Sequence, residues 1–103
     1  MKKLLLVAAM ASVLSAPLHA EEHAKEQASC AKIAGLAKSI MSARQSGVSL
    51  IEMIEVAGND TLVRKMTMDA FDISKYSTKK YQDRAADEFE NDWMLACLKQ
   101  REK

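Results

Sequence analysis

Residues 81–97 read YQDRAADEFENDWMLAC, and this stretch decides the fold. Its apolar residues recur every four positions, at Tyr81, Ala85, Phe89, Trp93 and Cys97. That spacing places side chains on one slowly drifting face of an α-helix. The pattern therefore predicts a long last helix over about 78–101. Ser77 is its expected N-cap, and Tyr76 is placed to pack on Tyr81 across the helix start.

A matching first helix is predicted upstream. Its inner stripe alternates at spacings of three and four through Cys30, Ile33, Ala37, Ile40 and Arg44, and it is widened by Ala34, Leu36 and Met41. This is the pattern of an amphipathic helix. We expect it to cover about 22–45 and to end at Gly47, which can adopt the left-handed conformation that closes a helix.

The only two cysteines of the chain are Cys30 and Cys97, so only one intramolecular pairing exists. A disulfide between them closes most of the chain into one loop, which stabilises a fold by up to about 4 kcal/mol. It also brings the first and last helices side by side, most simply antiparallel. An intermolecular disulfide and two buried free thiols are the alternatives.

Two shorter helices are predicted between the long ones, over about 50–57 and 61–71. Ser49 and Glu52 form a capping box at the start of the first, and Gly58 ends it. Asn59 or Asp60 caps the second, whose inner side is expected to carry Leu62, Val63, Met66, Ala70 and Ile73. The predicted fold class is all-α, a small bundle of about four helices whose long first and last helices are antiparallel and joined by one disulfide.

The N-terminus has the pattern of an export signal. Lys2 and Lys3 precede an apolar run over 4–14, which is short of the roughly 20 residues of a membrane-spanning helix. We predict cleavage after Ala20, which gives a signal peptide over 1–20 and a single helical domain over 21–103 in the bacterial periplasm. An uncleaved N-terminal anchor is the alternative. Lipidation is not expected, because Cys30 lies too far beyond the apolar run.

Charge and composition exclude several functions. Removal of Lys2 and Lys3 lowers the Lys plus Arg count from 15 to 13, against 14 Asp plus Glu, so the mature domain has no basic excess for nucleic acid or anionic lipid. Its one histidine, His23, is too few for a zinc site or an acid–base relay. We expect no catalytic residues, no metal, no cofactor and no membrane anchor after cleavage.

Four features allow a second interpretation. Met66 and Met68 suggest a soft metal, but their positions differ by about 200° around a helix, which favours packing or, with the other mature methionines, a pliable binding surface. Those methionines are 41, 53, 66, 68 and 94. The aromatic residues of the last helix allow a ligand groove, and its carboxylates at Asp87, Glu88, Glu90 and Asp92 allow a paired-carboxylate site. Core packing and a solvated face are favoured. Arg44 is expected to snorkel or contact terminal carbonyls, with a functional ion pair as the alternative.

Several of these residues carry a resemblance. The run from Cys30 through Ile33, Arg44 and Val48, followed by 76–81 and the spacing of Trp93 and Cys97, resembles small exported two-cysteine helical proteins of proteobacteria and their phages. The resemblance implies an all-helical periplasmic protein with one disulfide, and it implies no activity. The signal, size, helical content and distant cysteines are also similar to HdeA-type acid-stress chaperones.

The function predicted by elimination is non-enzymatic binding of another protein, such as an envelope component, a toxin or a phage factor. A periplasmic acid-stress chaperone is the first alternative, since protonation of 14 carboxylates leaves a strongly cationic chain. An envelope hydrolase using Asp87 and Glu90 is the second alternative.

Overall fold

Four helices make up the computed structural model, which describes residues 17–102, with side chains from residue 24 onward. They are α1 (Pro17–Gln45), α2 (Leu50–Ala57), α3 (Thr61–Phe71) and α4 (Lys79–Arg101). No strand occurs within 17–102, and the predicted all-α class is confirmed. The apolar run of the predicted signal lies outside the described residues.

The helix bounds differ from prediction only at the starts of α1 and α4. The bounds of α2 and α3 are those predicted. Helix α1 begins at Pro17 instead of residue 22, and α4 begins at Lys79 instead of residue 78. Proline suits the first helical position because its fixed φ is already helical. Since the predicted cleavage removes 17–20, the observed start describes the uncleaved chain.

The long helices α1 and α4 run antiparallel, as predicted. The Cys30 and Cys97 sulfurs lie 2.07 Å apart, at disulfide-bonding distance. Further along α1, Lys38 Nζ lies 3.0 Å from Asp87 Oδ1. Partner numbers in α4 thus fall as residue numbers in α1 rise, which requires opposite helix directions.

The core lies where α2 and α3 cover the α1–α4 pair. Its buried residues are Ala37, Ile40, Met41, Met53, Met66, Ala70, Ala85, Ala86 and Phe89. The innermost row of α1 runs through residues 30, 34, 37, 41 and 45. Two predicted inner positions in α1 and α3 are wrong: Leu36 is 38% and Leu62 is 37% exposed, because other elements of the described chain cover them only in part.

The turns on either side of α2 follow the predicted chemistry. Gly47 and Gly58 have φ values of +96° and +57°, where a side chain is strained. Ser49 Oγ accepts a hydrogen bond from the Glu52 amide at 3.2 Å, and Asp60 Oδ1 accepts from the Leu62 and Val63 amides, both at 3.1 Å. The caps therefore satisfy amides that the first turns leave free. The reciprocal half of the capping box is wrong, since the Glu52 carboxylate returns no bond to Ser49.

The linker between α3 and α4 is held by a buried amide. Gln45 is only 2% exposed. Its Nε2 donates to the Ser74 carbonyl at 2.8 Å, and its Oε1 accepts from the Tyr76 amide at 2.8 Å. These two bonds fasten the linker to the C-terminal end of α1, opposite the end held by the cysteines.

The predicted Ser77 cap of α4 is wrong by one position. Thr78 is the N-cap, and its side chain makes no capping bond. Water can satisfy the first amides of α4 because the residues there are exposed. The predicted contact of Tyr76 with Tyr81 is confirmed, with ring centroids 6.1 Å apart.

Candidate functional site

An open apolar groove of about 330 Å³ lies between α1, α2 and α3. One wall comes from α1, the opposite wall from α2, and the floor is completed by α3 and the turn before α2. Its lining residues are Leu36, Ser39, Ile40, Ala43, Val48, Glu52, Met53, Val56, Val63 and Thr67. The exposed Leu36, which the sequence pattern assigned to the core, belongs to this groove.

The sequence of α2 explains why the groove is open to water. Six of its eight residues, LIEMIEVA, are apolar, which is more than one face of a short helix can bury. Met53 and Ala57 face the core, whereas Ile51 is 72% and Val56 is 88% exposed. A surface helix with apolar side chains directed away from the core is typical of an interaction surface.

The polar side chains in the lining offer little to a ligand. Ser39 Oγ donates to the Gly35 carbonyl at 3.2 Å, and Thr67 Oγ1 donates to the Val63 carbonyl at 2.8 Å. Glu52 is the only charged lining residue, and its carboxylate has no ion-pair partner within the described part of the chain. The groove is thus an apolar surface with one negatively charged group at the N-terminal end of α2.

Three of the four α4 carboxylates that the sequence offered as a site lie near basic side chains, whereas Asp92 is exposed and makes no ion pair within the described residues. Lys38 Nζ lies 3.0 Å from Asp87 Oδ1 and 4.0 Å from Glu90 Oε1, and Arg84 lies 3.5 Å from Glu88. The hydrogen bond that Lys38 donates to Asp87, then the charges of Asp87 and Glu90, raise the pKa of Lys38 above its usual 10.5. The charged lysine therefore offsets one of the two negative charges at Asp87 and Glu90, the pair that the sequence offered as a carboxylate site.

Arg44 contacts a carbonyl, as predicted, but not one of its own helix. Its guanidinium lies 4.5 Å from the centroid of the Phe71 ring, and Nη2 donates to the Ile73 carbonyl at 3.2 Å. No carboxylate pairs with Arg44 among the ion pairs of the described residues. Together with Gln45, it holds the chain that leaves α3.

Aromatic residues of α4 divide between core and surface. Phe89 is buried and Trp93 is half-buried, with ring centroids 6.3 Å apart in an edge-to-face arrangement. Tyr81 is exposed, so its place in the predicted core stripe is wrong. It lies in the first turn of α4, at the end of the helix pair, where Tyr76 is its neighbour.

The methionines are mostly core residues. Met41 and Met66 are fully buried and Met53 is nearly so, whereas Met68 is 53% exposed. The predicted pliable methionine surface is therefore limited to Met68 and the half-buried Met94, and Met53 contributes only to the groove lining. Met66 and Met68 face different environments, as their angular separation predicts.

Comparison of the chain with protein-family models, with curated proteins and with solved structures finds no match. No helix in the described part of the chain has the length and apolar character needed to cross a membrane. The function is therefore argued from the groove, where the described helices leave apolar side chains around a concave surface.

Proposed function

We propose that this chain is an exported, non-enzymatic helical protein that acts in the periplasm by binding another protein through the groove between α1, α2 and α3. The observation that supports it most is the exposure of Val56 at the groove wall, where the residue is 88% exposed. Folding gains nothing from an apolar side chain left in water. Binding of a partner that covers this side chain gains hydrophobic free energy.

The expected gain is large enough to matter for binding. Full burial of one aliphatic side chain is favourable by about 1.5–3 kcal/mol. A partner that covers Val56 and the exposed part of Leu36 therefore gains about 2–4 kcal/mol from these two side chains. That gain offsets a substantial part of the entropy lost on association.

Export is supported by separate features of the chain. The signal-like N-terminus and a cysteine pair at bonding distance both fit an oxidising compartment. The test is N-terminal sequencing of protein recovered from the periplasm, which should begin at Glu21. Protein found in the cytoplasm or the membrane fraction with Met1 intact contradicts export with cleavage.

Binding is tested by photo-crosslinking in the native host. A photoreactive residue replaces Val56 in one strain and Leu95 in a matched control, because Leu95 is also exposed but lies on α4 outside the groove. We expect one discrete adduct from position 56 and none from position 95.

Other outcomes separate the alternatives. Equal labelling from both positions contradicts binding at the groove. A broad set of adducts that appears only at low pH, together with suppressed client aggregation, favours the acid-stress chaperone instead. Activity on envelope glycans that is lost in an Asp87→Asn, Glu90→Gln variant favours the hydrolase.

A further inference from the structure

We infer that the partner element recognised by the groove is an amphipathic α-helix that places a lysine or arginine opposite Glu52. This inference rests on the proposed function and names the chemistry of its partner. It is carried by the length of the groove, the state of its polar groups and the charge of α2.

The groove has the length of a short helical contact. Its α1 wall runs from Leu36 to Ala43, and seven residues of helix rise about 10 Å, or two turns. Two turns of an amphipathic partner helix present three apolar side chains on one face, at positions i, i+3 or i+4, and i+7. The match favours a partner with three apolar anchors.

The polar groups of the lining favour a helix over an extended peptide. The hydroxyls of Ser39 and Thr67 donate to carbonyls of their own helices, and no strand edge exists within 17–102. An extended segment would bury backbone amides without partners, which is unfavourable, whereas a helix satisfies its own. The lining also contains no aromatic residue, the feature that polyproline segments require.

Glu52 sets the charge of the partner. The helix dipole accounts for a carboxylate in the first turn of α2, but that carboxylate accepts no hydrogen bond within the described part of the chain. Since Glu52 has no ion-pair partner within the described chain and lines an apolar groove, it is complementary to a cation on the bound helix.

Packing of two α2 helices from two copies of this chain fits the groove poorly. The exposed side of α2 carries Glu52 and Glu55 and no basic residue. Packing two α2 helices together brings four carboxylates into one interface, which is unfavourable because like charges repel. A separate, basic amphipathic helix avoids this repulsion and covers the same apolar side chains.

The experiment selects peptide ligands from a displayed library of random 14-residue sequences. The baits are the purified mature protein, its Glu52→Lys and Glu52→Gln variants, a groove-blocking Val56→Arg variant and the off-site control Leu95→Arg. Circular dichroism first establishes that each bait is helical. The substituted side chains are exposed, so all five are expected to fold.

We expect the wild-type and Leu95→Arg baits to enrich apolar residues at helical spacing with Lys or Arg at one fixed position. The Glu52→Lys bait should enrich Asp or Glu at that same position, and Val56→Arg should enrich nothing. For a synthesised consensus peptide, Glu52→Gln should weaken binding about fivefold, as expected for loss of one exposed ion pair.

The two proposals fail in different ways. Enrichment without a basic position, or with alternating spacing, overturns the present inference, while sensitivity to Val56→Arg still supports the groove. No enrichment together with a discrete crosslink from position 56 also overturns the inference of a helical partner and leaves the proposal of protein binding intact. No enrichment and no crosslink overturn both.

Discussion

Replacement of Gln45 by alanine is expected to loosen the α3–α4 linker and destabilise the whole domain. The side chain is 2% exposed and makes hydrogen bonds of 2.8 Å to the Ser74 carbonyl and from the Tyr76 amide. It also lies 3.5 Å from Met41 Sδ through Nε2. Removing it breaks the only side-chain tie from α1 to these two linker residues among the described hydrogen bonds.

The magnitude follows from those two bonds. Each contributes about 0.5–1.5 kcal/mol net, so their loss costs about 1–3 kcal/mol. Ser74 and Tyr76 are themselves exposed, which lets water replace part of what is lost. We therefore expect the Gln45→Ala variant to lose about 2 kcal/mol of unfolding free energy, a large fraction for a domain of this size.

The assay is urea unfolding followed by far-UV circular dichroism, with Gln82→Ala as the matched control. Gln82 Nε2 also donates to the linker, at 2.8 Å from the Tyr76 carbonyl, but it does so at the surface. That control is expected to lose no more than about 0.5 kcal/mol. Equal effects of the two substitutions would refute the assignment of Gln45 as the buried tie.

A Gln45→Glu variant tests which of the two hydrogen bonds Gln45 donates and which it accepts. The carboxylate can still accept from the Tyr76 amide but cannot donate to the Ser74 carbonyl unless it is protonated. Burial and the facing carbonyl raise the pKa of such a group in the folded state above its usual value of about 4.3. Relative to wild type, the variant should therefore be most stable below pH 4 and lose stability as the pH rises through the folded pKa. A pH-independent deficit relative to wild type contradicts this.

Three further predictions concern the frame of the domain. Reduction, or serine replacement of Cys30 and Cys97, should lower the unfolding free energy by up to about 4 kcal/mol, because a loop of 67 residues is no longer closed. An unchanged urea midpoint contradicts a formed disulfide. Met66→Ala should cost about 2–5 kcal/mol, whereas Met68→Ala on the same helix should stay within about 0.5 kcal/mol by thermal unfolding. Asp60→Ala should cost about 1 kcal/mol by removing the acceptor of two amides, and Asp60→Asn should remain near wild type; equal loss in both argues against capping.

The short helices were predictable because their ends depend on local chemistry. Gly47 and Gly58 occupy left-handed conformations, and Ser49 and Asp60 cap the helices that follow. Each signal acts within a few residues, so the sequence alone indicates it. Ser77 was assigned as the cap of α4 from the same reasoning, and there the exposed helix start needs no side-chain acceptor.

Gln45 was not predictable as a buried anchor, because its partners lie 29 and 31 residues away. Its position on the row of Cys30, Ala34, Ala37 and Met41 was the available signal. An amide at the end of an apolar row is buried only if backbone groups from elsewhere reach it. Only the fold shows that the linker does so.

The groove was also not predicted from the sequence. Periodicity placed Leu36 on the inner stripe of α1, because it identifies a face of a helix but not what covers that face. The α1–α4 pair is fastened at one end by the cysteines and at the other by Gln45, so the frame does not depend on the outer side chains of α2. Val56 and Ile51 can therefore remain in water at little loss to folding. A frame held in this way separates stability from binding, and substitutions at Val56 should alter partner binding while the urea midpoint stays close to that of wild type.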